Sequence, residues 1–357
     1  MRAAYYLKAT YNSPSSPSSN GDSSVRSDVL AALLDQLGNK SHGKLLRHEI
    51  AYVLGQLRDG DALPKLAAVL RDGEDDCIAR HECAEAIGAI VGSSLSSAGH
   101  TEKETAAIAA LTLCSAPSST TPPEVSDTCL IALSYIAWKS SPSSSSSSTA
   151  PMACACMLSP YDSSDPAPPH PDHEGRDHGE IGVMMRDETA PLFERYRCMF
   201  SLRNKGGERA AVELGRALVT DESSALFRHE VAFVLGQLQH VAGLEYLQSS
   251  LEREGEHEFV RHESAEAIGA IDGDWERCEE VLRLFLEDGD LVVRQSCEVA
   301  LDAMDYFGVL AGAGGEAGEG GEGGETFAAL KGDGTVKRDS TVTSHFNIKS
   351  KGEGVAA

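Results

Sequence analysis

Residues 225–238 read ALFRHEVAFVLGQL, and residues 44–57 read KLLRHEIAYVLGQL, so the chain contains nearly the same helix twice. Apolar side chains recur at intervals of three and four residues, as at Val231, Val234 and Leu238. This spacing is typical of an amphipathic helix that buries one face. The histidine and glutamate near the start of both copies do not fit that packing role, and they need a separate explanation.

A period of 33 residues extends this pattern through the second half of the chain. It is marked by arginines at Arg195, Arg228, Arg261 and Arg294. A helical run follows each arginine, further helical runs lie between them, and no segment alternates with the period of two that is typical of strands. In the first half, Arg47 and Arg80 have the same spacing. The sequence therefore predicts an all-α fold, a HEAT-like α-solenoid of helical hairpins in two pseudo-symmetric halves of four repeats each.

Composition divides the chain into two repeat-bearing halves and two irregular segments. Residues 1–139 are predicted to form the N-terminal HEAT-repeat half, with a truncated first repeat and inserted Ser/Pro-rich loops. Residues 186–308 are predicted to form the C-terminal half. Between them, residues 140–185 are rich in serine and proline and predict a disordered bridge. Residues 309–357 are rich in glycine and glutamate and predict a disordered tail.

Charge and cysteine content restrict the class of protein. The 357 residues carry a formal net charge of −24, which argues against the basic surface that nucleic-acid binding requires. Nine cysteines show no framework spacing, so we expect free thiols in a reducing compartment. No apolar run approaches the roughly 18 residues of a membrane span. These features predict a soluble cytoplasmic protein whose acidic surface favours a cationic partner.

Four repeats, the two middle ones of each half, carry an Arg-His-Glu sequence. The pairs are His48-Glu49, His81-Glu82, His229-Glu230 and His262-Glu263. A glutamate in the first turn of a helix interacts favourably with the helix dipole, so a single copy would be explained as a solvated helix start. The outer repeats of the second half have Tyr196-Arg197 and Gln295-Ser296 instead. A packing consensus would extend to these outer repeats, so the restriction to the middle repeats indicates a function.

A metal site would explain why the His-Glu pairs occur only in the middle repeats of each half. Equivalent positions on neighbouring helices lie about 8–10 Å apart, so side chains from two repeats can meet at one ion. Imidazole and carboxylate ligands without thiolate are typical of non-haem iron or manganese. A second histidine four residues after the first, as in zinc proteases, is absent. Other histidines, His170, His173 and His178, lie in the bridge, and we expect them to be solvent-exposed.

These motifs carry a resemblance to a known family. The paired HE-x-AY/F-VLGQL and RHE-x-AEAIGAI segments, together with PLFERYRCMFSLRN, resemble deoxyhypusine hydroxylases over roughly residues 1–138 and 186–308. The resemblance implies a di-iron monooxygenase whose two halves close around the metals. It further implies that the enzyme uses O2 to hydroxylate the deoxyhypusine side chain of the hypusine-containing translation initiation factor, the last step of hypusine biosynthesis.

The resemblance also implies a ligand set with two ferrous ions per chain. By motif, His48, His81 and Glu82 would hold one ion, and His229, His262 and Glu263 would hold the other. Glu49 and Glu230 match the remaining acidic positions, either as further metal ligands or as carboxylates that receive the cationic amine of the substrate. The implied partners are the protein substrate and an external electron donor, and the expected state is a monomer.

Two other functions are found in proteins with the same repeat pattern. The first is a metal-free HEAT-repeat scaffold that binds a protein partner, and the second is a HEAT-like bilin lyase. Neither requires a symmetric set of metal ligands, so the fourfold His-Glu pattern argues against both. A zinc hydrolase is a third alternative, disfavoured because neither half offers an obvious general base separate from the ligands.

Overall fold

The computed structural model describes residues 2–12, 22–94, 99–141, 159, 161 and 163–312. Over these residues the chain forms fifteen α-helices and no extended strand, which confirms the predicted all-α class. The N-terminal half contains α1 (Arg2–Asn12), α2 (Asp22–Gly38), α3 (Lys44–Leu57), α4 (Leu63–Arg71), α5 (Cys77–Ser94), α6 (Glu102–Leu113) and α7 (Pro123–Ser140). The C-terminal half contains α8 (His178–Met185), α9 (Leu192–Lys205), α10 (Gly207–Thr220), α11 (Ala225–Leu238), α12 (Leu244–Glu252), α13 (Glu258–Ala270), α14 (Trp275–Leu284) and α15 (Leu291–Gly312).

The helices form the two layers of an α-solenoid. In one layer α3 packs on α5 and α5 on α7, and the C-terminal half repeats this with α9, α11, α13 and α15. The second layer contains α2, α4 and α6 in one half and α8, α10 and α12 in the other. The two halves meet through the first layer, because α7 contacts α9 and α11 while α15 contacts α3. An ion pair between Lys44 and Glu258, 2.6 Å apart, joins the first turns of α3 and α13.

The periodic arginines connect one repeat to the next. Four of them donate from Nε to the carbonyl oxygen ten residues earlier, at 2.8–3.0 Å: Arg47, Arg80, Arg195 and Arg261. The guanidinium of Arg261 also pairs with Asp288, at 2.6 Å, in the loop before α15. Arg228 pairs in the same way with Glu256, at 2.6 Å, in the loop before α13. The 33-residue period therefore has a structural role, since Arg47, Arg195 and Arg261 each bind a helix-end carbonyl and an acidic loop residue at once.

Glycines set the distance between the helices that carry the His-Glu pairs. A Cβ atom added to Gly55 of α3 would lie 3.0 Å from the Cα atom of Ala86 in α5. A Cβ atom added to Gly236 of α11 would lie 3.2 Å from the Cα atom of Ala267 in α13. The absence of a side chain at both glycines thus allows the backbones of neighbouring first-layer helices to approach closely.

The segment between the halves differs from the predicted disordered bridge over residues 163–185. This part carries α8, buries Ala167 and packs against α9. The prediction of an exposed His173 is wrong, because this side chain is 3% exposed and its Nδ1 lies 2.9 Å from the hydroxyl of Ser201. Burial lowers the pKa of His173 to about 4, so its imidazole is neutral. The remaining predictions for the bridge, over residues 142–158, and for the tail, over residues 313–357, lie outside the described residues.

None of the described helices combines the length and the apolar character needed to span a membrane.

Candidate metal centre

The four histidines of the Arg-His-Glu motifs converge at the contact between the two halves. Within the halves, the ring centroids of His48 and His81 lie 5.2 Å apart, and those of His229 and His262 lie 5.3 Å apart. Across the halves, His81 lies 5.2 Å from His229, and His48 lies 5.4 Å from His262. All four side chains are buried. The pseudo-symmetry of the fold therefore produces one compact cluster, to which each half contributes two rings.

Two glutamates reach into this cluster. Glu82 Oε2 lies 3.3 Å from Nε2 of His48 and 3.8 Å from Nε2 of His81. In the other half, Glu263 Oε2 lies 3.5 Å from Nε2 of His229. In both halves the carboxylate on the second helix thus faces the imidazole on the first. Ligand atoms of His229, His262 and Glu263 all lie within 4.8 Å of one another, which is close enough for one ion to contact all three.

The other two glutamates of the motif, Glu49 and Glu230, are equally buried but differ in their surroundings. Glu49 Oε1 lies 3.1 Å from Nδ1 of His48, and its Oε2 accepts a hydrogen bond from the hydroxyl of Tyr5 in α1. Glu230 Oε1 is buried and has no hydrogen-bond partner among the residues that the structure describes. The two carboxylates therefore occupy equivalent positions in the repeats but not equivalent environments.

The electrostatics of the cluster favour a bound cation. Burial raises the pKa of Glu230 to about 8, and the charges of Glu82 and Glu263 add to the effect. Burial opposes the charged form of His48, but its hydrogen bonds to Glu49 and Glu82 outweigh this and raise its pKa to about 10. Both shifts favour the protonated forms, as expected where several carboxylates are buried together. A divalent cation between the side chains would displace the protons.

Two further glutamates extend the cluster, the half-buried Glu85 and the buried Glu266, and neither was predicted from the sequence. Glu85 follows His81 by four residues, and Glu266 follows His262 by four residues. Glu266 Oε1 lies 3.7 Å from Nδ1 of His262 and accepts a hydrogen bond from Ser296 at 2.8 Å. The signal that could have revealed them is the i, i+4 spacing, which places a glutamate on the same helix face as the histidine in both RHE-x-AE segments.

An aromatic side chain from the C-terminal half closes part of the cluster. The ring of Phe259 stacks on His229, with centroids 4.1 Å apart, and meets His81 edge-on at 4.4 Å. Phe259 is fully buried, so it excludes water from the contact between the halves. The equivalent residue by the repeat register is Ile78, and nothing in the sequence distinguishes this position from ordinary core.

The donor set fits a divalent transition metal. Four imidazoles and four carboxylates of the motif are buried, and no cysteine belongs to the ligand groups found among the described residues. Nitrogen and oxygen donors without sulfur suit iron or manganese rather than a structural zinc site. The four carboxylates of Glu49, Glu82, Glu230 and Glu263 balance the charge of two dications. The structure thus supports a metal site.

Two families of helical repeats match parts of the chain. The family described as HEAT repeats matches residues 211–302. The family described as PBS lyase HEAT-like repeat matches residues 46–72, which is only one helical hairpin. Both matches concern the repeat architecture and agree with the α-solenoid.

Comparison with individual proteins is more specific. The chain is 43% identical to the deoxyhypusine hydroxylase of Mus musculus over 269 residues, which cover 75% of this chain and 79% of that protein. It is 37% identical to the deoxyhypusine hydroxylase of Chaetomium globosum over 316 residues, covering 86% and 83% of the two chains. The solved structure of human deoxyhypusine hydroxylase in complex with glycerol matches with a TM-score of 0.63 and 37% identity, covering 85% of this chain and 96% of that one. On this similarity, the chain belongs to the deoxyhypusine hydroxylase family.

Proposed function

We propose that this protein is a deoxyhypusine monooxygenase. It hydroxylates the deoxyhypusine side chain of the hypusine-containing translation initiation factor and so completes hypusine. The observation that carries the proposal is the meeting of four buried histidines, two from each half, with buried carboxylates on the same helices. A scaffold that only bound a partner would gain nothing from this arrangement, because buried charged and polar groups cost stability unless a ligand uses them.

The cofactor in this proposal is a pair of ferrous ions. The residues that would hold them are His48, His81 and Glu82 for one ion and His229, His262 and Glu263 for the other. When bound, the iron pair supplies the redox chemistry that activates O2 for insertion of one oxygen atom into a C–H bond. An external electron donor supplies the two electrons that reduce the second oxygen atom to water. The imidazoles and carboxylates supply the nitrogen and oxygen donors that ferrous iron binds.

The protein positions the substrate and keeps water out. Glu49 and Glu230 lie beside the histidine cluster, where their carboxyl oxygens can accept hydrogen bonds from an alkylammonium group. Phe259 covers two of the imidazoles and limits the access of water to the reacting carbon. Because the target is a side chain of another folded protein, the net charge of −24 favours a basic surface around the modified lysine. We further propose that the protein acts as a cytoplasmic monomer.

The direct test is hydroxylation in vitro. The purified protein is incubated with ferrous iron, a reductant, O2 and the factor carrying deoxyhypusine, and the mass of the modified peptide is measured. We expect a gain equal to one oxygen atom, which disappears when O2 is withheld or when His48→Ala or His229→Ala is used. Metal analysis of the active protein should give two irons per chain. A protein that holds no iron and leaves the peptide mass unchanged would eliminate the monooxygenase and favour the scaffold.

A further inference from the structure

A narrow cavity lies between the two halves, beside the candidate metal centre. Its wall comes from α5 and α7 of the N-terminal half, α9 and α11 of the C-terminal half, and the bridge. Glu85 lines it at the cluster, where a carboxylate oxygen of Glu85 lies within 4.8 Å of ligand atoms of His81 and Glu82. Tyr135 lines it farther out, because its ring lies against Gly92, about three turns along α5 from His81. The cavity therefore extends from the edge of the cluster toward the partly exposed Tyr135.

The wall of the cavity is mostly apolar. Its apolar lining residues are Gly88, Ala89, Ile131, Ala132, Pro166 and Leu226. The hydroxyls of Thr128 and Tyr196 donate to backbone carbonyl oxygens, at 2.8 Å and 3.5 Å. The hydroxyl oxygen of Ser164 accepts a hydrogen bond from Arg58 at 2.9 Å. A buried water molecule needs roughly two to four polar partners, and this wall has few groups left to supply them.

The equivalent glutamate on the other side of the cluster is held differently. Glu266 accepts a hydrogen bond from Ser296 of α15 at 2.8 Å. By the repeat register, the residue equivalent to Ser296 is Thr128 of α7, and its hydroxyl bonds to its own helix instead. Glu85 has no such hydrogen bond among the described residues and lines the cavity, and the bridge completes the wall with Pro166. The cavity thus depends on features of this one contact between the halves, not on the repeat alone.

We propose that this cavity is the route by which O2 reaches the metal centre, distinct from the entrance used by the aminoalkyl arm of the substrate. The cavity has room for about one molecule of the size of water, so O2 can pass as the wall fluctuates, but a chain of several methylene groups cannot. O2 is uncharged and apolar, and it therefore loses little on leaving water for such a wall. Ala89 and Ala132 keep the route open because their side chains are short. This inference rests on the proposed O2-dependent hydroxylation and adds the path of the gas.

The first test uses O2 itself as the probe and needs no turnover. The full chain is loaded with zinc, which is diamagnetic and does not react with O2, and its alanine methyl groups are labelled for NMR. Dissolved O2 is paramagnetic, so it speeds the relaxation of the methyl groups that it approaches. We expect the enhancement at Ala89 and Ala132 to be several-fold larger than at their repeat equivalents, Ala270 and Ala300, which are buried to a similar degree. Equal enhancements would overturn the proposal.

The second test narrows the route. Ala89→Leu places a larger side chain in the cavity, two turns of α5 beyond the ligand-bearing turn. We expect the KM for O2 to rise about 10-fold, while the KM for the factor carrying deoxyhypusine changes less than about 2-fold. The rate constant with which O2 oxidises the ferrous protein, measured without the factor, should fall by a similar amount. The matched control is Ala270→Leu, at the equivalent position of α13, which should leave both KM values unchanged.

The outcomes of these tests separate the possible failures. An unchanged KM for O2 in Ala89→Leu means that the gas enters elsewhere, and a KM that rises for the factor but not for O2 means that the cavity admits the substrate arm. Either result refutes the route. If Ala89→Leu does not fold, Ile131→Phe fills the same space from α7 and is judged by the same two KM values. Selective relaxation in a wild type that does not hydroxylate contradicts the proposed function, whereas hydroxylation without selective relaxation contradicts the route.

Discussion

Replacing Gly236 by alanine should separate two metal-bearing helices without unfolding the protein. The added Cβ atom would lie 3.2 Å from Ala267 Cα and 3.2 Å from its Cβ, closer than the ordinary contact range of 3.4–4 Å. Since both partners are helix backbone or its first side-chain atom, α11 and α13 must move apart by a few tenths of an ångström. Metal–ligand distances tolerate deviations of only about 0.2 Å. The displacement therefore equals or exceeds what the site can absorb.

The stability cost of Gly236→Ala is smaller than its effect on the metal. An extra methyl group in a packed core costs about 1–3 kcal/mol. Alanine in place of glycine inside a helix stabilises the helix by about 1 kcal/mol. We expect a net loss of about 0–2 kcal/mol and unchanged helicity. Iron affinity of the C-terminal site should fall about 10-fold or more, as for other changes that misplace metal ligands.

The assay compares iron content with thermal unfolding. Gly236→Ala and its counterpart Gly55→Ala are loaded with ferrous iron, dialysed, and measured by metal analysis and circular dichroism. The control is Gly60→Ala, where an added Cβ atom meets nothing within 4 Å. If Gly236→Ala retains the iron content of the wild type and melts at a higher temperature, the close approach of the helices does not control the site.

Three further predictions concern the ligands, the pH dependence and the arginines. His229→Ala should lose iron while circular dichroism shows the same helix content, because the surrounding helices are held by apolar contacts; a parallel loss of helicity would contradict a ligand role. In metal-free protein the pKa values of Glu230 (about 8) and His48 (about 10) are both raised, so the folded state binds more protons than the unfolded chain. Its melting temperature should then fall between pH 6 and pH 9, whereas the iron-loaded protein should not follow this trend. Arg261→Met removes an ion pair of 2.6 Å and a helix-end contact and should cost about 3 kcal/mol in urea unfolding. The exposed Arg283→Met should cost less than about 1 kcal/mol, and equal costs would refute the structural role of the periodic arginines.

The sequence predicts the repeat architecture well because each repeat is a local unit. The period of 33 residues and the three- and four-residue apolar spacing depend only on contacts between neighbouring helices, and the all-α solenoid follows from them. The equivalent positions of His48, His81, His229 and His262 also predict that they act together. That these residues bind iron stays a prediction.

Features that depend on contacts between distant segments could not be predicted. The approach of His81 to Phe259 results from how the two halves face each other, which no repeat specifies. The Tyr5–Glu49 hydrogen bond depends on how α1 lies against α3. The docking of the bridge could not be predicted because its composition is typical of disorder. In the structure, Asp165 of this segment forms an ion pair with the buried guanidinium of Arg203. Each of these contacts depends on how distant segments pack together, which the local sequence does not specify.

Contact of α7 with α9 and α11, and of α15 with α3, has a consequence for how this protein unfolds. Linear repeat arrays unfold gradually, because each unit is stabilised only by its neighbours. Here the ligand-bearing helices of the two arrays lie against each other, so ions bound where the halves meet would stabilise both arrays at once. Metal loading should therefore merge two weakly coupled unfolding transitions into one cooperative transition. After the metal is removed by a chelator, the two arrays should separate before either of them unfolds.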